Sequence, residues 1–167
     1  MHDINLLLKK ALSICDKENI PYGNITGISI NNRLSKALGR CMRKGNTDNY
    51  SIELRNIIAD DTITPEHGAL EIILHEIIHT CKGCWNHGDL FNSYGARLAK
   101  HGYGTQGSTK NMDSLNLNMD NYIKAAKYIC KCEKCGHIEV RQRKCKFTDE
   151  PQNFIHKSCG GSFIRVK

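Results

Sequence analysis

The sequence predicts an α+β fold in two parts, a mixed helix-and-strand domain over residues 1–105 and a small cysteine-rich domain over residues 121–167. Three observations carry this reading. Apolar residues recur at helical spacing in some segments and alternate with period two in others. The last 47 residues are polar and hold most of the closely spaced cysteines. Charge is divided the same way: residues 1–120 carry 13 Lys/Arg and 13 Asp/Glu, while residues 121–167 carry 11 and 4, so the whole net charge of +7 sits in the second part.

Each element follows in order. Residues 4–18 read as an amphipathic helix with Ile4, Leu7, Leu8, Leu12 and Cys15 near one face. Pro21, Gly23 and Asn24 mark a turn. Residues 25–42 read as strand material, and Lys44 to Asn49 as a loop. Tyr50 to Arg55 alternates as a further strand. The clearest helix starts at Thr64-Pro65, with Thr64 suited to the N-cap and Pro65 to the first helical position. Leu70, Ile73, Leu74, Ile77 and Ile78 give it an apolar stripe, and Gly83 is its stop. A second helix is expected from Asp89, as cap, to His101, packed by Leu90, Phe91, Tyr94 and Leu98. Residues 106–120 are rich in Gly, Ser, Thr and Asn and read as a linker.

Composition excludes some classes. Hydrophobic residues make up 40% and charged residues 25% of the 167, as in ordinary globular proteins. No apolar run approaches the ~18 residues of a membrane span. The opening segment mixes acidic residues into a helical pattern, unlike a signal peptide. A cytoplasmic location is expected, where nine cysteines bind metal or stay reduced. Abundant Asn, Ile and Lys fit an AT-rich bacterial or phage genome.

His75-Glu76-Ile77-Ile78-His79 is HExxH within the clearest helix. Spacing i, i+4 puts both imidazoles on one helical face, within reach of one ion, and zinc suits nitrogen ligands. Glu76 flanks such an ion rather than binding it, which is the place of a general base. The third ligand separates the types of enzyme that use this motif. Metzincins have glycine three and histidine six residues after the second motif histidine; here those positions hold Lys82 and Trp85. A thermolysin-like site takes Glu from a later helix, and the helix expected over 89–101 has none. His87, eight residues after His79 and beside Gly88, is the better candidate. The set His75, His79, His87 leaves one position open for water, as a catalytic zinc site requires. Trp85 is expected to pack, and His67 and His101 to be surface groups at helix ends. For Cys81-x-x-Cys84, reduced packed thiols, a local disulfide or redox pair, and metal binding all remain open.

The stretch LHEIIHTCKGCWNHGDLFNSYGARL, residues 74–98, resembles the SprT-like metalloproteases, which include the DNA-dependent protease Spartan. Upstream, Ile30-Asn-Asn-Arg-Leu and Gly39-Arg-Cys are similar to the strand pair that precedes the motif helix in that family. Downstream, a cysteine cluster led by Tyr128 resembles the zinc ribbon of many members. The resemblance implies a minimal zincin-like fold, zinc-dependent hydrolysis of peptide bonds, and substrates that are proteins on or linked to DNA.

In the basic segment, Cys132-Glu-Lys-Cys135-Gly136 has the spacing of a zinc knuckle, and His156-Lys-Ser-Cys159 supplies a second pair. Together they make a closed Cys₃His set for a structural zinc. Histidine at 156 departs from the cysteine expected by resemblance, and Cys130 competes with Cys132 or Cys135 as a ribbon ligand because Tyr128-Ile-Cys130 also fits the family's opening. Cys145 has no evident partner. The segment between the pairs has room for a hairpin over Ile138 to Arg143. Arg141, Arg143, Lys144 and Lys146 are the expected DNA contacts, without base-reading specificity. Tyr128, Phe147 and Phe163 would serve as stacking platforms or hairpin packing. Two zinc ions per chain, protein substrates and DNA are therefore the expected partners, with no membrane. The rival reading is a non-enzymatic, zinc-dependent DNA-binding or regulatory protein, against which the intact Glu76 speaks.

Overall fold

The computed structural model describes residues 1–34, 37–104 and 115–167. The described chain is α+β and divides into two compact units, Met1–Asn118 and Met119–Lys167.

In the first unit, α1 (Ile4–Lys17) opens on Asp3, whose carboxylate accepts the amide N–H groups of Asn5 at 3.0 Å and Leu6 at 3.1 Å. Leu7, Leu8, Ala11 and Cys15 form its buried face. Strands β1 (Asn24–Ile30), β2 (Gly39–Arg43) and β3 (Asn49–Leu54) form one sheet in the order β1-β3-β2. β1 runs parallel to β3, and β2 runs antiparallel to it as an edge strand. Along β3, burial alternates, with Tyr50, Ile52 and Leu54 turned to the core. Gly39 pairs with Leu54 and meets Ile72 and Glu76, so this face of the sheet is the one the motif helix covers.

After the short α2 (Asn56–Ala59), the motif helix α3 runs from Glu66 to Ile78. Every residue from Gly68 to Ile78 is buried. It is a central helix covered on all sides rather than an amphipathic one, so its ends fall under tertiary control. Pro65, not Thr64, stands at the N-cap, and the Thr64 hydroxyl instead donates to the Ile57 carbonyl at 2.7 Å. Tying α2 to α3 takes the hydroxyl that would have capped the helix. α4 (Asp89–Ala99) starts one residue earlier than a cap at Asp89 implies, because Gly88 occupies that position. Its apolar side buries Phe91, Tyr94 and Leu98.

Of the segment read from composition as a linker, residues 106–114 lie outside the described residues. Leu115 is buried at 2% exposure, and the Asn118 amide donates to the Ile63 carbonyl at 2.7 Å, so residues 115–118 pack on the first unit.

The second unit begins with α5 (Met119–Lys124) and holds a three-stranded antiparallel sheet in the order β5-β4-β6. Its strands are β4 (Tyr128–Cys132), β5 (Ile138–Arg141) and β6 (Phe163–Arg165). β5 pairs with β4, from Lys131↔Ile138 to Tyr128↔Arg141. The expected hairpin within residues 138–143 is therefore replaced by one that turns at the Cys132–Cys135 knuckle. The short α6 (Lys146–Asp149) and a 3₁₀ turn at Pro151–Asn153 complete the unit. Cys130, Cys132 and Phe163 form its small core, with Phe147, Phe154 and Cys159 packed against it. No described helix is long and apolar enough to cross a membrane.

Candidate metal centres

His75, His79 and His87 come together in the first unit. One ring nitrogen of each lies within 4.8 Å of the others, and the Nε2 atoms of His75 and His87 are 3.1 Å apart. Two nitrogens bound tetrahedrally to one zinc at ~2.0–2.1 Å would lie about 3.3 Å apart, so the spacing fits the ion to within a few tenths of an ångström. α3 supplies His75 from its last turn and His79 as its C-cap, and the loop before α4 supplies His87. His79 Nδ1 faces the Cys84 carbonyl at 2.9 Å. With Nδ1–H donating there, Nε2 is left with its lone pair for a metal ion, and the carbonyl fixes the tautomer and the ring's orientation. Burial, the largest cause, holds the His79 pKa below its ordinary value, which keeps the ring neutral for ligation. Asn92 Nδ2 donates to the His87 carbonyl at 3.1 Å, tying that loop to α4.

Phe91 is fully buried beneath the three imidazoles, with ring centroids 5.0, 4.8 and 4.7 Å from His75, His79 and His87. The sequence offered Phe91 only as a core residue of α4. Nothing in its spacing from His79 signalled that it floors the site.

Glu76 is only 7% exposed and stands beside the triad on α3. Burial pushes its carboxyl up to about 7, opposed by the Cys41 backbone N–H that hydrogen-bonds it. β2 thus contributes to the site in two ways, through the Cys41 amide and through Gly39. A Cβ at residue 39 would come within 2.8 Å of both Cγ and Oε1 of Glu76.

The CxxC pair lies in the turn between ligands. Both thiols are free, Cys81 at 3% and Cys84 at 0% exposure, and burial raises both, Cys81 to about 12. They are packed thiols in this structure, and the contribution of Cys84 to the site is its carbonyl. Trp85, expected to pack, is instead 61% exposed. The close turn through Gly83, at φ +85°, carries it outward while the flanking cysteines fill the interior. His67 stacks on Tyr103 at 4.7 Å, and His101 bonds to Glu18, both exposed.

In the second unit Cys132, Cys135, His156 and Cys159 gather with ligand atoms within 4.8 Å of one another. Cys132 Sγ is 3.5 Å from Cys159 Sγ, and His156 Nδ1 is 3.2 Å from the sulfurs of both Cys135 and Cys159. A tetrahedral zinc with Zn–S of ~2.3 Å would set sulfurs about 3.8 Å apart, again close to what is present. All four donors are used, which makes a closed site. Burial works to raise the Cys132 thiol, but the Cys135 and Lys134 amides and the neighbouring thiols bring it down to about 6, a bias toward the thiolate that binds metal. Cys130, two residues away on β4, belongs to the apolar core and not to the cluster. Cys145 is exposed and caps α6. Both clusters can therefore hold a metal ion and are compatible with zinc.

The basic side chains of this unit are partly engaged. Arg141 bonds Glu139 at 2.6 Å and lies over the Phe147 ring, and Lys144 lies 3.6 Å from Asp149. Phe147 and Phe163 pack edge-to-face at 5.1 Å, and the Arg165 guanidinium covers Tyr128. None of these three rings is exposed: Phe147 and Phe163 belong to the small core, Tyr128 is half-buried under Arg165, and together they do not form an open stacking platform. A unit of 49 residues with so few apolar side chains needs them inside.

No protein-family model matches the chain.

Proposed function

We propose that the chain is a zinc-dependent metallopeptidase of SprT-like, minimal zincin-like architecture, acting on proteins bound or crosslinked to DNA in the cytoplasm. One observation carries the reading: three imidazole nitrogens gather within 4.8 Å of one another, and the residue that follows the first of them on the same helix, Glu76, is a buried carboxyl. A cluster retained only for structure would be closed by a fourth ligand, as in the second unit, and would have no use for a costly buried carboxyl.

His75, His79 and His87 would hold the ion. When bound, zinc supplies Lewis-acid polarisation of the scissile carbonyl and acidification of the attacking water. Glu76 takes the proton from that water and returns it to the departing amine nitrogen. Burial raises this carboxyl above the ordinary carboxylate range, and a zinc ion held beside it would pull it back down, so the two effects oppose each other on the group that carries the proton. The Cys41 amide and the close approach of Gly39 hold that carboxyl in one place. Phe91 closes the floor of the site to water. The Cys₃His set would hold a second, structural zinc that folds the basic unit, and this unit would bring the enzyme to DNA without reading sequence.

The test is metal analysis of the purified protein followed by hydrolysis of a denatured protein substrate, with and without a chelator and with and without DNA. Metal-dependent cleavage supports the proposal. Zinc-loaded protein that binds DNA and cleaves nothing supports the non-enzymatic reading.

A further inference from the structure

A groove of about 700 Å³ opens against His79, in the ~300–1,000 Å³ range of ligand sites. It lies between the loop before β1, the β2–β3 turn and the segment that follows α3. The walls are built and not incidental. The Gly23 amide donates to Thr80 Oγ1 at 2.9 Å, and that hydroxyl donates to the Ile77 carbonyl at 2.7 Å, so the groove hangs from the end of the motif helix. Tyr50 lines it from the core side, and Trp85, 61% exposed, lines it from the solvent side. Arg43 and Lys82 are exposed lining residues on opposite segments. Arg43 anchors Nε on the Thr47 carbonyl at 2.7 Å, which leaves its two terminal amino groups to a ligand.

We propose that this groove is the specificity site of the peptidase and that it takes an acidic side chain of the substrate protein close to the scissile bond; the inference rests on the peptidase reading above. A polypeptide held at the metal centre must pass His79, where the groove begins. The lining offers an acidic side chain two cations for its carboxylate, Arg43 and Lys82, and the indole of Trp85 for its methylene stem. A nucleic acid fits the groove less well. It would bring one phosphate per nucleotide past only two cations, whereas Asp48, whose carboxylate accepts the Tyr50 hydroxyl at 3.2 Å in the same lining, opposes any anion and leaves the groove with the charge to hold a single carboxylate.

Trp85 is the only tryptophan in the chain, so its emission reports on the groove directly. The full-length, zinc-loaded Glu76→Gln protein is titrated with an Ala/Glu peptide, the matching Ala/Lys peptide and a thymidine oligonucleotide. The Ala/Glu peptide should change Trp85 emission saturably. Arg43→Glu with Lys82→Glu should weaken that binding by about tenfold or more at low salt, with zinc content unchanged. The milder pair Arg43→Gln and Lys82→Gln should shift it in the same direction. Cleavage sites mapped in a denatured protein by the active enzyme should lie beside acidic residues, and the charge-reversed pair should lose that preference. A silent tryptophan, an equal response to the Ala/Lys peptide, binding unaffected by either pair, or a response to the oligonucleotide alone would each overturn the assignment. Glu76-dependent cleavage with no acidic preference and no emission change would remove the groove and leave the peptidase reading. An emission response to the Ala/Glu peptide without any Glu76-dependent cleavage would remove the peptidase reading and with it the groove's role in specificity, leaving an acidic-peptide site only.

Discussion

His79 Nδ1 and the Cys84 carbonyl oxygen lie 2.9 Å apart, so the second motif histidine is oriented by the turn that leads to the third ligand. Gly83 shapes that turn with φ +85°, a conformation L side chains rarely adopt. Gly83→Ala should strain it and loosen the carbonyl's grip. The expected result is zinc affinity at the three-histidine site lowered by about 10–100-fold, the usual cost of losing the group that orients a ligating histidine. A competition titration with a chromophoric chelator reads it, and the Cys₃His site should be unaffected.

Gly39 predicts a separation of chemistry from metal binding. A methyl at this position would meet Cγ and Oε1 of Glu76 at 2.8 Å, and it would meet Ile72 at 2.9 Å. Gly39→Ala should displace the Glu76 carboxyl, lowering kcat by about tenfold or more, since a misplaced general base forfeits much of its ~10²–10⁴-fold contribution. Zinc content should stay as in the wild type, because the atoms the methyl would meet most closely belong to Glu76 and Ile72 and not to the three histidines. Equal zinc loss and activity loss would mean that the substitution acts by unfolding the sheet edge.

Two ligand clusters predict about two zinc ions per chain. His87→Ala should leave about one. In a chelator titration of the wild type, the open three-histidine site should empty first, and release of the second ion should unfold the basic unit. Loss of secondary structure with the first ion, or full occupancy in His87→Ala, would contradict the assignment of ligands.

The basic unit predicts salt-dependent, sequence-independent DNA binding. Arg141 and Lys144 already have acidic neighbours, but exposed pairs of this kind are worth only ~0–1 kcal/mol and exchange readily for phosphate. Replacing Arg143 and Lys146 together by Ala should weaken binding evenly across sequences. It should also reduce the slope of log K against log salt by about 1–2, since each phosphate left without its cation removes roughly one from that slope. An unchanged slope would place the DNA-binding surface elsewhere.

The legible part of this molecule was local. HExxH needs only helical geometry, so His75, Glu76 and His79 could be placed before any tertiary structure was known. The Cys132–Cys135 and His156–Cys159 pairs were legible for the same reason, each being a short turn that presents two donors. What sequence could not show was long-range. The parallel pairing of β1 with β3, with β2 inserted at the edge, leaves no mark on local periodicity. Consequently the approach of Gly39 and the Cys41 amide to Glu76 was invisible, though it is what holds the carboxyl. Thr64 looked like a helix cap because its chemistry suits one, and the Ile57 carbonyl claimed the hydroxyl instead. Trp85 looked like core by residue type, and the Gly83 turn sends it to solvent.

The proposed hydrolysis of peptide bonds would require Glu76 as the proton carrier. The direct measurement sets wild type against Glu76→Gln at equal zinc content, on the same denatured protein substrate, by quantifying new amino termini over time. Gln is nearly isosteric and cannot take the proton. The wild type should generate new termini, and the variant should keep its zinc and slow by about 10²–10⁴-fold. Equal rates in the two proteins would contradict the role given to Glu76.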